Sequence, residues 1–115
     1  MEVKDMGNIL QLSDTPERAD IVDTISSHCV VIYSKTSCSY CKQAKNIFQK
    51  LKVPVKVIEL DERKDGELLQ HVLGDMTNST TVPRVFVNGE CIGGARETQA
   101  LHRKGKLAEM TAACQ

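Results

Sequence analysis

Cys38 and Cys41 stand two residues apart in the stretch Lys35-Thr36-Ser37-Cys38-Ser39-Tyr40-Cys41-Lys42. Two thiols at this spacing can close a disulfide with each other, or they can supply half of a tetrahedral zinc site. The zinc reading needs a second Cys-x-x-Cys or a histidine pair at ligand spacing downstream. His28, His71, His102 and Cys91 each stand alone, which favours thiol–disulfide chemistry and leaves the histidines as surface or helix-end residues. Attack on a disulfide requires a thiolate, and Lys35 and Lys42 place positive charge beside the pair. The expected division of labour is attack by Cys38 and resolution of the mixed disulfide by Cys41.

The elements around the pair must present one sulfur and shelter the other. Val30-Val31-Ile32-Tyr33 reads as a strand that runs into the motif. Ala44, Ile47, Phe48 and Leu51 then repeat as one face of a helix leaving it. Cys38 thus falls at a helix start, where free N–H groups and the positive dipole end favour an anion. Cys41 falls one turn in and should be the more buried thiol.

The remaining chain is read from its punctuation. Residues 1–13 show no period and read as a loose leader before a domain spanning 14–115. Thr15-Pro16 marks a helix start, and Ile21, Val22 and Ile25 are predicted on its buried face up to about Ser27. Residues 29–34 form a first strand, apolar on consecutive positions as both faces are covered. Pro54 stops the helix that follows the cysteines, and residues 55–60 give a second strand, making a βαβ unit with parallel strands. Leu68, Leu69, Val72, Leu73 and Met76 mark a third helix, and residues 77–81 a polar loop. Arg84-Val85-Phe86-Val87 and Glu90-Cys91-Ile92 flank Asn88-Gly89 and predict a hairpin. Gly93-Gly94 opens a last helical region over about 96–113, broken near Gly105. The order is α-β-α-β-α-β-β-α.

Composition narrows the classes. At 115 residues one domain is expected, and 15 Lys and Arg balance 15 Asp and Glu. No basic excess points to nucleic acid, and no apolar run approaches the roughly 20 residues that cross a bilayer. Five cysteines, an odd number with only one close pair, suit a reducing, intracellular compartment better than a stapled secreted domain.

The motif Lys-Thr-Ser-Cys-Ser-Tyr-Cys-Lys, followed by Thr81-Val82-Pro83 and Gly93-Gly94, resembles the dithiol glutaredoxins from about residue 15 to the end. The resemblance implies an α/β thioredoxin fold, a four-stranded mixed β-sheet flanked by helices, with Pro83 after a cis peptide. It implies a glutathione-dependent oxidoreductase that reduces protein–glutathione mixed disulfides and protein disulfides. Glutathione itself would be both cofactor and partner. By the same resemblance Lys35 and Gln70 meet its glycine carboxylate. Thr81, Val82 and Pro83 line its cysteinyl backbone, and Tyr40 lies along the groove. Gly94, Ala95, Arg96 and Glu97 meet the γ-glutamyl end, with Glu97 facing its ammonium. Alone, Lys35 would read as a solvated charge, Gln70 as a surface helix residue and Gly93-Gly94 as a turn; their joint spacing with Cys38 carries the assignment.

Two positions depart from the family pattern. Arg96-Glu97 stand where Ser or Thr followed by Asp is usual, and Thr80 stands where a basic residue is common. A third feature, Ser39 in place of proline, is similar to the Cys-Ser-Tyr-Cys subgroup of vertebrate mitochondria and nuclei. This places the chain in the mitochondrion, cytosol or nucleus. It also implies an alternative role: a [2Fe–2S] cluster bridging two protomers, held by Cys38 of each chain and two glutathione thiolates, against a monomer in redox turnover. Cys29 and Cys114 begin the first strand and end the last helix, a placement compatible with a bond or with two separate thiols. The resemblance implies a structural disulfide between them. Cys91 reads as a small buried apolar residue.

Overall fold

The computed structural model describes residues 15–114; the leader read over 1–13 lies outside them. Helix α1 spans Pro16–Ser27. Thr15 caps it, its hydroxyl accepting the Arg18 N–H at 3.2 Å, and Pro16 occupies a first-turn position that needs no N–H. Ile21 and Ile25 face the core, but Val22 does not: it is 42% exposed. Ile21 and Ile25 lie four residues apart on one stripe, and Val22 is turned about 100° away from Ile21. Leu68, 49% exposed beside buried Leu69 and Leu73, leaves its helix's core face for the same reason.

Strand β1 spans Val30–Ser34 and is buried at every position. It feeds helix α2, Ser39–Lys50, which returns to strand β2, Lys56–Glu59. A 3₁₀ turn, Leu60–Glu62, leads into helix α3, Gly66–Thr77. Strands β3 (Arg84–Val87) and β4 (Glu90–Gly93) follow, then helix α4 (Ala95–Arg103), helix α5 (Lys106–Met110) and a 3₁₀ turn at Ala112–Cys114. The break in the last helical region is at Gly105, at φ +76°, a conformation that glycine adopts without a Cβ penalty. None of these helices is long and apolar enough to cross a membrane.

The sheet order is β2-β1-β3-β4. β1 pairs with β2 in parallel and with β3 antiparallel, and β3 with β4 antiparallel. Asn88 and Gly89 take φ +52° and +84° at the hairpin tip, as an Asn-Gly turn of this kind demands. Because side chains alternate along β1, the strand feeds two cores. Val30 and Ile32 pack with Ala44, Phe48, Val85 and Leu107 on one face. Val31 and Tyr33 pack with Ile21, Leu60, Leu73 and Phe86 on the other, where the Tyr33 and Phe86 rings meet edge to face at 5.9 Å. A sheet covered on both faces is rigid at the carboxyl end of its central strand, and that end carries the cysteine loop.

At the opposite end of β1, Cys29 is joined to Cys114 by a disulfide with Cα atoms 5.8 Å apart. Asn88 braces the same corner, its N–H donating to Cys29 O at 2.8 Å and its side-chain amide to Met110 O at 3.0 Å. Cys91 is a free thiol, half-buried rather than fully buried.

Candidate active site

The loop from β1 to α2 places Cys38 at the N-cap of α2 in extended backbone, φ −89° and ψ 116°. Its N–H donates to Lys35 O at 3.1 Å, closing a tight turn. The Cys41 N–H, an otherwise unpartnered donor of the first helical turn, points at Cys38 Sγ at 3.2 Å. The cap thus falls to a sulfur, and the helix offers it the hydrogen bond an anionic sulfur needs. Cys38 is half-buried and Cys41 is fully buried. Burial pushes the Cys41 thiol up and the neighbouring Cys38 sulfur adds to this, whereas the Lys35 backbone and the Ser34 hydroxyl pull the other way. One sulfur is presented and the other is kept protonated behind it.

Asp61, just after the end of β2, holds the loop. Its two carboxylate oxygens accept the Thr36 N–H at 3.1 and 3.2 Å, and one of them also accepts the Thr36 hydroxyl. These bonds hold the Asp61 carboxyl below its ordinary range, with Lys35 contributing further. In the sequence Asp61 is one charge of a charged connection, and nothing local distinguishes it.

Across from Cys38, the Val82–Pro83 peptide is cis, and the Cys38 thiol faces Val82 O at 3.9 Å. An open groove of about 1010 Å³ runs from here to the start of α4. Tyr40, 62% exposed, stands along one side. Thr81, Val82 and Pro83 form the wall, and Gly94, Ala95, Arg96 and Glu97 close the far end. Eight of the ten residues expected to contact glutathione therefore share one groove. Lys35 and Gln70 are not among its lining: Lys35 belongs to the cysteine loop, and the Gln70 amide donates to Thr80 O at 2.7 Å, bracing the segment before Thr81.

The far end differs from the expectation in one respect. Glu97 turns back on its own helix start, with Oε1 accepting the Gly94 N–H at 2.8 Å. That bond is the main cause holding its carboxyl below the usual range, with lesser contributions from Arg84 and Arg96. One backbone donor at the head of α4 is therefore already satisfied by the protein, and one oxygen of Glu97 is committed to it. The close fit requires glycine before it: Gly93 sits at φ +114°, and a methyl group there would stand 2.7 Å from Glu97 Cγ.

In the sequence Arg84 is a residue of the predicted hairpin strand; in the fold it lines the groove while being 8% exposed. Its Nε donates to Thr81 O at 3.0 Å and an Nη to Thr81 Oγ1 at 3.4 Å. The available signal was a charge at the head of an otherwise apolar central strand. Among the described residues, no group of three or more His, Cys, Asp or Glu side chains is gathered to hold a metal ion.

The glutaredoxin family model matches residues 30–92. Mitochondrial glutaredoxin-2 of Bos taurus is 53% identical over 94 residues, 82% of this chain and 60% of that protein. The chain therefore spans less than two thirds of that relative's length. Among solved structures, a buckwheat glutaredoxin–glutathione complex superposes with a TM-score of 0.84 at 36% identity, covering 90% of this chain and 93% of that one. The holo form of glutaredoxin C1 from Populus tremula x tremuloides does so with a TM-score of 0.84 at 34% identity, covering 88% and 100%. With the family model lying across the cysteine loop and the hairpin, and with solved glutaredoxins superposing on the same fold, the chain belongs to the glutaredoxin family.

Proposed function

We propose that this chain is a glutathione-dependent thiol–disulfide oxidoreductase. The observation that carries the reading is Cys38 Sγ, capping α2 at the rim of the groove with the Cys41 N–H 3.2 Å away. In the monothiol route, the Cys38 thiolate attacks the glutathione sulfur of a protein–glutathione disulfide. The protein leaves as a thiolate and a Cys38–glutathione disulfide remains. A second glutathione thiolate then attacks the glutathione sulfur of that bond, releasing oxidised glutathione and restoring Cys38. In the dithiol route Cys38 attacks a protein disulfide, and Cys41 displaces the reduced protein by forming the Cys38–Cys41 bond. Its proton passes to the departing thiolate or to water.

Glutathione lies in the groove with its cysteinyl backbone along Val82 and its sulfur beside Cys38. Its γ-glutamyl end is at Gly94–Glu97, and its glycine carboxylate turns toward Lys35 and Gln70. One of the two Gln70 amide hydrogens is engaged by Thr80 and the second is available. The buckwheat protein, solved as a glutathione complex, supports glutathione as the ligand. Similarity to a mitochondrial relative supports a mitochondrial setting, which fractionation of cells making the full-length protein checks.

The test compares Cys38→Ser with Cys41→Ser. The first should lose all turnover, whereas the second should still reduce a glutathionylated peptide and lose reduction of a protein disulfide. Full activity in Cys38→Ser would sink the proposal.

A second reading uses the same sulfur. A [2Fe–2S] cluster needs four thiolates, and one chain presents a single accessible one at this site, Cys38, with Cys41 fully buried behind it. The donor set fits only as two chains with two glutathiones, the cluster supplying electron transfer or being carried as cargo. Ser39, at the first position of α2, leaves φ unfixed where a proline ring would lock it and is compatible with that arrangement. Anaerobic reconstitution with iron, sulfide and glutathione should give a coloured species of twice the monomer mass. A colourless monomer rejects this reading and leaves the oxidoreductase reading intact.

A further inference from the structure

We propose that Arg84 is a specificity-determining residue of the groove: its guanidinium selects ligands that carry a free α-carboxylate at the end beside Gly94. The proposal deepens the glutathione reading and rests on it. Arginine is rarely buried without a partner of opposite charge, yet Arg84, 8% exposed, forms no ion pair among the described residues. Its observed acceptors are the neutral Thr81 carbonyl and hydroxyl, which use two of its five donors. The carboxylate that would serve it, Glu97, commits Oε1 to the Gly94 N–H instead. Arg84 is thus held at the groove wall by Thr81, with the Glu97 charge near enough to act on it but not bonded to it, and with three of its donors left for a ligand.

Gly94 fixes where that ligand group would go. A methyl group at Gly94 would stand 3.2 Å from Arg84 Nη2 and 3.3 Å from Pro83 O. The guanidinium therefore lies against the bare Cα at the head of α4, and glycine leaves its face uncovered. A carboxylate placed there meets Arg84 and the first-turn N–H groups of α4 together, while the second oxygen of Glu97 is within the same corner of the groove for an ammonium. Carboxylate and ammonium on one carbon define an α-amino-acid end group, which the γ-glutamyl residue of glutathione carries. A bare inorganic anion would satisfy the arginine and leave Glu97 opposed.

The test uses two peptide mixed disulfides, one with glutathione and one with its 4-aminobutyryl-cysteinyl-glycine analogue, which keeps the amine and lacks only the α-carboxylate. In the wild type the analogue should show a KM roughly 10- to 100-fold higher, the range for one charge-assisted hydrogen-bond pair. In Arg84→Gln the KM for the glutathione disulfide should rise to that of the analogue with kcat retained, so that the two substrates become equivalent. Arg103→Gln, an exposed cation of α4 outside the groove, should keep the discrimination. A correctly folded Arg84→Gln that still discriminates as the wild type does overturns the proposal. If that variant does not fold, Arg84→Met takes its place: it keeps an apolar stem at this buried position and removes the charge, and undiminished discrimination there overturns the proposal equally. A wild type that turns over neither substrate would instead reject the glutathione reading itself.

Discussion

Breaking the Cys29–Cys114 bond should lower stability strongly and leave the chemistry at Cys38 alone. The bond spans 85 residues of sequence, nearly the whole described domain. Loop-closure entropy for that span comes to roughly 4.6 kcal/mol at 25 °C, and about 2–4 kcal/mol is typical once residual order in the unfolded chain is counted. At about 4 °C per kcal/mol for a domain of this size, Tm should fall by about 8–16 °C. The assay is calorimetry of the Cys41→Ser protein, in which no active-site disulfide can form, with and without reductant. Both sulfurs pack against the core cluster of Phe48 and Val85, so Cys29→Ala and Cys114→Ala would mix cavity loss with bond loss. Chemical reduction keeps the sulfurs in place and isolates the bond. The second alanine should add little to the first if the shared bond is the cause. Cys29 and Cys38 flank opposite ends of the five-residue β1, roughly 16 Å of strand, so kcat/KM at 25 °C should not change. A reduced protein whose Tm stays within the error of the oxidised one would refute the reasoning.

Three further outcomes are expected. Tyr33 is buried between α1 and the sheet, and that burial pushes its pKa up to about 12 from 10.0. The folded state holds this proton more tightly than the unfolded one, so the stabilisation is whole below pH 10 and is lost as pH rises toward 12. That amounts to on the order of 3 kcal/mol, and urea melts of wild type and Tyr33→Phe should diverge over that window, only the wild type weakening through this residue. Gly66→Ala would put a methyl group 1.8 Å from the Leu60 carbonyl oxygen; α3 must then shift off the 3₁₀ turn, at about 2–4 kcal/mol in a denaturant melt. Asp61→Ala releases the Thr36 backbone and hydroxyl, and displacement of the Cys38 loop should cost roughly 10- to 100-fold in kcat/KM, with unchanged kinetics removing Asp61 as the loop's anchor.

Local chemistry is legible in a sequence because it depends on neighbours in the chain. The Thr15 cap, the Asn88-Gly89 turn, the continuously apolar β1 and the cysteine pair at a strand-to-helix junction are all short-range features, and each is where the spacing predicts it. The burial of Cys41 follows from its position one turn into α2. Tertiary structure decided what depends on distant segments meeting. Val22 and Leu68 are apolar at helical spacing, but only the packed sheet shows which stripe of each helix is covered. Asp61 and Thr36 are 25 residues apart, and Cys29 and Cys114 are 85 apart; no local pattern joins either pair. The sequence sets Glu97 beside the Gly93-Gly94 turn, and only the fold shows one of its oxygens on the Gly94 N–H. Arg84 became a groove residue only because β3, on entering the sheet, carried its charge under the head of α4, where among the described residues it forms no ion pair.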